Sequence, residues 1–376
     1  MTGMAIARRA VTGEPMAAVH IDLGALAHNT ALLARAAAPG QLMAVVKADG
    51  FGHGAVPVAR AALDAGATWL GVTSAAEALA LRRAGVGAPI LMWLYPPNVD
   101  FDELLRARID VSVADPDSLA AVGEAARRTG RRANVHLKVD TGLSRGGSPP
   151  EHWAELVTAA ERAGFLRVRG VWSHLANAED PADPGLHRQL AMFADARAAA
   201  AGLDPPLTHL ANSAATLQLP QARFDLVRTG IALYGIEPVP GRTFGLRPVM
   251  TVRAQVILTR RIKAGTGVSY GPDWVTPRDT TVALIPVGFA DGVPRVVSGR
   301  GQVAVDGVRY PIVGRIAMDQ FLVDVGDDPV RPGDVAVLFG PGTSGEPTAA
   351  DWAGWAGTNP HEILTGIGPR LPRCYP

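Results

Sequence analysis

The chain has 376 residues, of which 48% are hydrophobic and 19% are charged, a composition typical of globular proteins. At about 100–200 residues per domain, this length predicts two domains. The 36 basic and 35 acidic residues leave a net charge of +1, which disfavours nucleic acid and anionic membranes as partners and favours a small molecule. The single cysteine, Cys374, excludes a disulfide framework and a thiol-based metal site, and this predicts a cytoplasmic protein.

The N-terminal segment has no apolar run long enough for a signal peptide or a membrane span. We interpret residues 1–16 as an extension outside the folded domains. Residues 17–22 (AAVHID) form a strand-like run that precedes a helical pattern. The residues that follow supply all eight strands of a predicted barrel, as described below. The barrel does not require this additional strand, so we expect it to pair with the C-terminal domain.

From about residue 40 to residue 235, eight short apolar runs alternate with amphipathic helical segments. Such alternation predicts a parallel (β/α)8 TIM barrel, to which we assign residues 17–240. The eight predicted strands are residues 42–48, 69–74, 90–95, 110–115, 134–140, 168–175, 208–212 and 224–230. Between the fifth and sixth strands, Ser148 and Glu151 are spaced like a helix capping box.

Residues 241–376 have a different pattern, in which apolar runs are joined by tight turns and helical periodicity nearly vanishes. Asp306-Gly307, between two such runs, is typical of a two-residue hairpin turn. We therefore predict an all-β C-terminal domain.

Lysine is rare in this chain, with 33 arginines and only three lysines, Lys47, Lys138 and Lys263. A GC-rich coding sequence would replace lysine by arginine wherever only the charge matters. Arginine cannot replace a lysine whose amine must lose its proton or form an imine. The remaining lysines are therefore candidates for chemistry.

In a (β/α)8 barrel, the active site is built at the C-terminal ends of the strands. The polar residues at those predicted ends include two of the three lysines. They are Lys47, Asp49, His53, Lys138, Asp140, Arg145, His174, Asn212, Ser213 and Arg228, with Gly230 and Ile231 beside the last strand.

Each candidate also has a structural interpretation. Lys47 could form a salt bridge, but its place between a buried run and a glycine-rich turn favours an imine-forming nucleophile. Asn212 and Ser213 could cap a helix, and the same geometry would offer donors to a phosphate. His174 alone would suit a structural role. The nine histidines lack metal-ligand spacing, so we expect no metal site.

At VVKADGFGHG, the chain resembles the pyridoxal-phosphate-dependent alanine racemases, and further motifs follow in the family's order. They are KVDTGLSRGG, SHLANAED, ANSAAT, VRTGIALYG, GVSYG, GFADGVPR and GRIAMDQ. The resemblance runs from about residue 16 to the C-terminus. It implies a barrel with a β-domain, a homodimer with shared active sites, and interconversion of L- and D-alanine for cell-wall peptidoglycan.

The resemblance implies a two-base mechanism. Lys47 would hold the cofactor as an aldimine and act as the base on one face of the substrate Cα. The partner subunit's Tyr270 would act on the opposite face. Arg228 would bind the pyridine nitrogen and leave it unprotonated, which disfavours side reactions.

The remaining roles also come from the resemblance. His174 would connect Arg228 with Tyr270. The phosphate site would comprise Asn212, Ser213, Gly230 and Ile231, and the substrate carboxylate would meet Arg145 and the backbone amide of Met318. Supporting residues would be Asp319 and Lys138, which matches a lysine that is carbamylated in many family members.

The chain departs from the family at several positions. Phe51, Phe289 and Pro369 stand where tyrosines are usual, and Ser144 and Ala317 replace a common glycine and cysteine. The losses at residues 51 and 369 would remove hydroxyl contacts to phosphate, each worth about 1–3 kcal/mol. We therefore expect weaker cofactor retention and a less constricted entrance.

Three alternatives to an alanine racemase remain. A related barrel decarboxylase would require an acidic partner on the pyridine nitrogen, which Arg228 disfavours. A non-catalytic pyridoxal-phosphate carrier would resemble the barrel alone, which Tyr270 and the C-terminal domain disfavour. A broad-specificity or serine racemase stays open, because substrate choice depends on pocket shape.

Overall fold

The computed structural model describes residues 15–376, so almost all of the predicted N-terminal extension lies outside the described residues. The described chain divides into two compact units. The first is Asp22–Val249, and it thus ends at Val249 rather than at residue 240. The second is Met250–Pro376 together with the described residues up to Ile21.

The first unit is a parallel barrel, which confirms the predicted fold class. Strand β1 (Ala17–Ile21) belongs to the other unit, and the barrel strands follow it in chain order. They are β2 (Gln41–Val45), β3 (Trp69–Val72), β4 (Ile90–Met92), β5 (Asp110–Val113), β6 (Ala133–Lys138), β7 (Leu166–Trp172), β8 (Leu207–His209) and β9 (Leu226–Thr229). The sheet order is β8-β7-β6-β5-β4-β3-β2-β9.

The two ends of this sheet meet through backbone hydrogen bonds. The Asp225 N–H donates to the Thr208 carbonyl oxygen at 3.1 Å, and the Arg228 N–H donates to the Ala211 carbonyl oxygen at 2.9 Å. These bonds nearly close the barrel, so the C-terminal ends of its strands form one rim.

Helices connect the barrel strands, and short polar side chains start many of them. Asp22, Ser74, Asp115 and Asn212 each accept a backbone N–H in the first turn of a helix. The helices are α1 (Leu23–Ala37), α2 (Lys47–Phe51), α3 (Ala55–Asp64), α4 (Ala75–Arg83), α5 (Phe101–Arg106), α6 (Pro116–Thr129), α7 (Pro150–Arg162), α8 (Pro184–Ala199) and α9 (Ser213–Gln218).

The capping box predicted at Ser148 is wrong. Pro149 occupies the N-cap position of α7, and no side chain of the described residues caps this helix. The helix begins one residue later than the spacing of Ser148 and Glu151 requires, so the serine hydroxyl lies outside the first turn.

The barrel interior is layered. Met43, Trp69, Leu91, Leu207 and Leu226 form a buried apolar cluster. Side chains two residues apart on a strand face the same side. Two residues further along their strands, His209 and Arg228 therefore share the inward side with Leu207 and Leu226, nearer the rim formed by the C-terminal ends of the strands.

The second unit is mostly β. Its remaining strands are β10 (Met250–Gln255), β11 (Leu258–Ile262), β12 (Gly267–Val268), β13 (Trp274–Val275), β14 (Thr280–Ile285), β15 (Gln302–Val305), β16 (Val308–Val313), β17 (Phe321–Gly326), β18 (Val335–Phe339) and β19 (Arg373–Cys374). In the part of the chain that the structure describes, nine strands form one sheet in the order β11-β14-β17-β16-β15-β18-β10-β1-β19. Strand β1 runs antiparallel to β10, with Ala17 opposite Ala254.

Two features of this unit bear on the sequence prediction. Asp306 and Gly307 join β15 to β16 with φ values of 49° and 79°, the left-handed conformation that a two-residue hairpin turn needs. The unit also contains two helices, α10 (Ala349–Ala356) and α11 (Pro360–Gly366), so it is not purely β.

No helix among the described residues combines the length and apolar character needed to cross a membrane.

Candidate active site

Lys47 lies where the chain leaves β2, in a turn of unusual backbone geometry. Ala48, Asp49, Gly50 and Phe51 have φ values of 52°, 52°, 62° and 54°, so α2 is a left-handed turn. Left-handed conformation costs about 1–2 kcal/mol for each residue that carries a Cβ. Surrounding contacts must therefore hold this turn.

Acidic side chains provide those contacts. Glu77 Oε1 accepts the Ala48 N–H at 2.7 Å, and Asp49 Oδ1 accepts the Ala55 N–H at 2.7 Å. The second oxygen of Glu77 accepts the N–H groups of Thr73 and Ser74 at 2.8 and 3.1 Å. Glu77 thus connects the Lys47 turn to the start of α4.

Positive charge converges around Lys47. Burial lowers the pKa of Lys47, and the positive charge of Arg145 lowers it further. Burial, Arg228 and Arg145 together lower the pKa of Lys138 to about 8. These shifts make both amines easier to deprotonate, and the concentration of cations suits an anionic ligand.

His174 belongs to the same cluster. Burial and the neighbouring positive charges, Arg228 foremost, lower its pKa to about 3. The ring is therefore neutral at physiological pH. Because its Nδ1 faces a guanidinium N–H of Arg228 at 3.2 Å, Nδ1 is the acceptor and Nε2 carries the proton.

Arg228 is buried on β9 and is held by acceptors on one side. Its Nη2 donates to the Ser173 carbonyl oxygen at 2.7 Å and to the Leu210 carbonyl oxygen at 3.3 Å, and its Nη1 faces His209 Nδ1 at 3.3 Å. Burial lowers its pKa to about 9, so the guanidinium remains charged near neutrality. Among the described residues, its acceptors all face the two Nη atoms, which leaves the Nε–H for a ligand.

Ser213 and Gly230 lie together beside the end of β9. Ser213 Oγ accepts the N–H groups of Gly230 and Ala232 at 3.1 and 3.3 Å, so its own proton is available for an anion. A Cβ at Gly230 would lie 3.0 Å from the Phe51 ring. Ile231 connects the two donor positions, and Asn212 caps α9 through Ala215 at 3.0 Å.

Tyr270, Met318 and Asp319 lie in the second unit. The side chains of Tyr270 and Met318 are 70% and 55% exposed. Asp319 is held by Arg370, whose Nη1 lies 2.8 Å from Asp319 Oδ1 and whose Nε lies 3.1 Å from the buried Asp291. The side chains of all three residues are thus accessible.

Comparison with known proteins connects both units to one family. The alanine racemase N-terminal domain model matches residues 21–238, and the C-terminal domain model matches residues 249–375. The chain belongs to the alanine racemase family. The enzymes of this family are isomerases that act on amino acids.

Individual relatives are similar over nearly their full length. An alanine racemase from Salinispora arenicola is 54% identical over 365 residues, which is 96% of this chain and 98% of the relative. A crystal structure of the Streptomyces lavendulae alanine racemase has a TM-score of 0.94 and 49% identity, covering 97% and 98% of the two chains. A Bartonella henselae alanine racemase, solved with covalently bound pyridoxal phosphate, has a TM-score of 0.88 and 32% identity, covering 96% and 100%.

Two residues that contact the candidate site were not predicted from the sequence. Glu77, which holds the Lys47 turn, had a sequence signal, because Ser74 and Glu77 have the spacing of a capping box. His209, which faces Arg228, ends β8 and could have been found by the same rule that selected the other strand ends.

Proposed function

We propose that the chain interconverts L-alanine and D-alanine with pyridoxal phosphate as cofactor. The observation that carries this proposal is Arg228, a buried and charged guanidinium that lies near Lys138 and whose Nε–H is left for a ligand. A pyridine nitrogen is an uncharged acceptor that suits this donor. When bound, pyridoxal phosphate supplies an electrophilic carbonyl carbon and a ring that accepts electron density from the substrate Cα.

The donor set of the barrel rim fits this cofactor. The Ser213 hydroxyl and the cations around Lys47 suit a phosphate group, and the glycine at residue 230 leaves room beside the Phe51 ring. Gly230 and Ile231 would complete the phosphate site, with Asn212 fixing the helix that carries Ser213. The lowered pKa of Lys47 supports its role as the nucleophilic amine.

Two bases would move the proton at the substrate Cα. The Lys47 amine would remove or return it on one face, and the partner subunit's Tyr270 oxygen would do so on the other. The exposure of Tyr270 supports a role in a second copy's site. Because Nδ1 of His174 accepts from Arg228, its Nε2–H is available to hold the tyrosine oxygen.

Other residues would orient the substrate. Arg145 and the backbone amide of Met318 would bind its carboxylate, with Asp319 as a supporting group. A pKa of about 8 leaves much of Lys138 unprotonated in mild alkali, which supports carbamylation of its amine beside Arg145. A cytoplasmic location and a role in peptidoglycan synthesis belong to the same proposal.

The test is Cα exchange. We expect the purified chain, with added pyridoxal phosphate, to racemise L-alanine in deuterium oxide and to take up one deuterium at Cα. Lys47→Arg should abolish both reactions and the visible absorption of the bound cofactor, because a guanidinium does not form an imine. Lys263→Arg is the matched control, since Lys263 forms an exposed ion pair with Asp279 at 2.8 Å. Absence of exchange with L-alanine would contradict the proposal.

Hybrid dimers test the shared site. We expect Lys47→Arg and Tyr270→Phe chains to be inactive alone. When equal amounts are refolded together, about half of the dimers should be hybrids with one intact site of two, so about a quarter of the activity of the unaltered dimer should return. In such a hybrid, one site carries both substitutions and the other carries neither. If both bases came from one chain, every site would stay defective and no activity would return.

A further inference from the structure

A line of hydrogen bonds crosses the barrel interior to Arg228. His209 Nδ1 lies 3.3 Å from Arg228 Nη1, and His209 Nε2 lies 2.8 Å from His136 Nδ1. His136 Nε2 in turn lies 3.3 Å from Asp110 Oδ2. All four side chains are at most 6% exposed.

The two ends of this line fix the direction of every bond. Arginine can only donate, so His209 Nδ1 must accept and the proton of that ring sits on Nε2. His209 therefore donates to His136 Nδ1, whose ring proton then sits on Nε2 and faces the Asp110 carboxylate. Burial lowers the pKa of both imidazoles, which keeps each ring neutral with a single proton.

The fold leaves room for this line and stabilises its rings. A Cβ at Gly170 on β7 would lie 2.4 Å from His136 Nδ1 and 3.1 Å from His209 Nε2, so only glycine permits the bond between the imidazoles. The Trp172 ring stacks on the His209 ring with 5.6 Å between their centroids, and the Trp69 ring meets the His136 ring edge-on with 5.4 Å between their centroids. Neither ring can rotate freely among these neighbours.

The carboxylate is also held in place. Arg169 Nη1 lies 3.1 Å from Asp110 Oδ2, and Asn134 Nδ2 donates to Oδ1 at 3.3 Å. Both neighbours donate to Asp110, so its carboxylate acts only as an acceptor. It can therefore accept the Nε2–H of His136, and this determines which nitrogen of each imidazole carries the proton.

We propose that Asp110, His136 and His209 position Arg228 by a one-way hydrogen-bond relay, in which the buried carboxylate fixes the tautomer of both imidazoles. The relay makes His209 an acceptor and keeps Arg228 Nη1 turned toward it. The Nε–H then points away from the relay and stays available for the cofactor ring. This last step rests on the proposed function, whereas the tautomers do not.

The first measurement reads the tautomers directly. In the full chain labelled with ¹⁵N-histidine, without cofactor, we expect His136 and His209 to be protonated at Nε2 only. Each signal is assigned by substituting that histidine singly. Protonation of either ring at Nδ1 in the unaltered chain would overturn the relay.

The second measurement removes the charge at the far end. An asparagine at residue 110 offers His136 either an oxygen or an N–H group, so Asp110→Asn should give both tautomers of His136 and His209. A His209 ring protonated at Nδ1 would oppose the Arg228 N–H, and we expect about tenfold weaker binding of pyridoxal phosphate in an absorbance titration. Unchanged imidazole signals in a folded Asp110→Asn chain would overturn the proposal.

Asp225→Asn is the matched control. This barrel carboxylate accepts the Thr208 N–H at 2.8 Å and makes no hydrogen bond to a relay side chain among the described residues. We expect neither the tautomers nor the cofactor affinity to change. If Asp110→Asn fails to fold, the tautomers of the unaltered chain decide the matter. If the unaltered chain binds no pyridoxal phosphate, the proposed function fails while the tautomer result still stands.

Discussion

Lysine and arginine respond differently to burial in this chain. Arg228 is buried and keeps a pKa of about 9, whereas the pKa of the less buried Lys138 falls to about 8. Only a lysine can therefore offer an uncharged amine near neutral pH at this rim. Lys263 has no such environment, since it forms an exposed ion pair with Asp279. The scarcity of lysine thus points to chemistry only where the environment also lowers the pKa.

Phe51 gives a prediction at the residue scale. Its ring stacks on Tyr234 at 4.6 Å and lies beside Gly230. Phe51→Tyr would add a hydroxyl donor at the proposed phosphate site, and we expect pyridoxal phosphate to bind about tenfold more tightly. Dissociation constants from absorbance titrations provide the measurement. Phe165→Tyr, at an exposed ring, is the control; equal or weaker binding in Phe51→Tyr would contradict the assignment of this site.

At the scale of elements, α2 depends on α4. The left-handed turn that follows Lys47 donates a hydrogen bond from the Ala48 N–H to Glu77, which also completes the capping box of α4 with Ser74. The negative charge of Glu77 raises the pKa of Lys47 against the effects of burial and Arg145. One carboxylate therefore supports both the backbone of the turn and the charge of its lysine.

Glu77→Gln and Ser74→Ala should differ in the pH dependence of cofactor incorporation. Without the charge of Glu77, the pKa of Lys47 falls further, so its uncharged amine forms at lower pH. We expect the pH midpoint for the rate of cofactor incorporation to shift downward in Glu77→Gln. Ser74→Ala removes only the helix cap, at about 1 kcal/mol of stability, and should leave that midpoint in place. A matching shift in both variants would assign the effect to helix disruption instead.

At the scale of the whole molecule, buried histidines link stability to pH. Burial lowers the pKa of His136, His174 and His209, that of His174 to about 3. An unfolded histidine titrates near pH 6.5, so below about that pH the unfolded chain binds protons that the folded chain excludes. Folding stability should therefore fall as the pH drops below about 6.5.

His174→Asn isolates one contribution to this acid sensitivity. Urea unfolding at pH 7, 6 and 5 should show a free energy of unfolding that falls less steeply in the variant. The expected difference is up to about 1.4 kcal/mol for each pH unit below 6.5. His152→Asn, on the exposed side of α7, is the control and should parallel the unaltered chain. Equal slopes in His174→Asn and the unaltered chain would contradict a buried, uncharged His174.

The sequence predicted the barrel because its signal is local and repeated. Eight apolar runs of strand length, separated by helical periodicity, leave few alternatives to a parallel barrel. The two C-terminal helices were missed because α10 and α11 are short and lie among glycines and prolines. The roles of Lys47, Tyr270, Arg228 and the other site residues stay predictions, since they depend on a cofactor and on a second chain.

By itself, the sequence determined the type and order of the barrel elements, and which polar residues end its strands. Those properties depend on neighbours within a few residues. Only the tertiary structure decided what each polar residue contacts. Glu77 reaches Ala48 across 29 positions, and His136 meets His209 across 73, because strand pairing and barrel closure bring distant segments together. The hydrogen-bond partners of Arg228, and hence the atom it leaves for a ligand, follow from that closure.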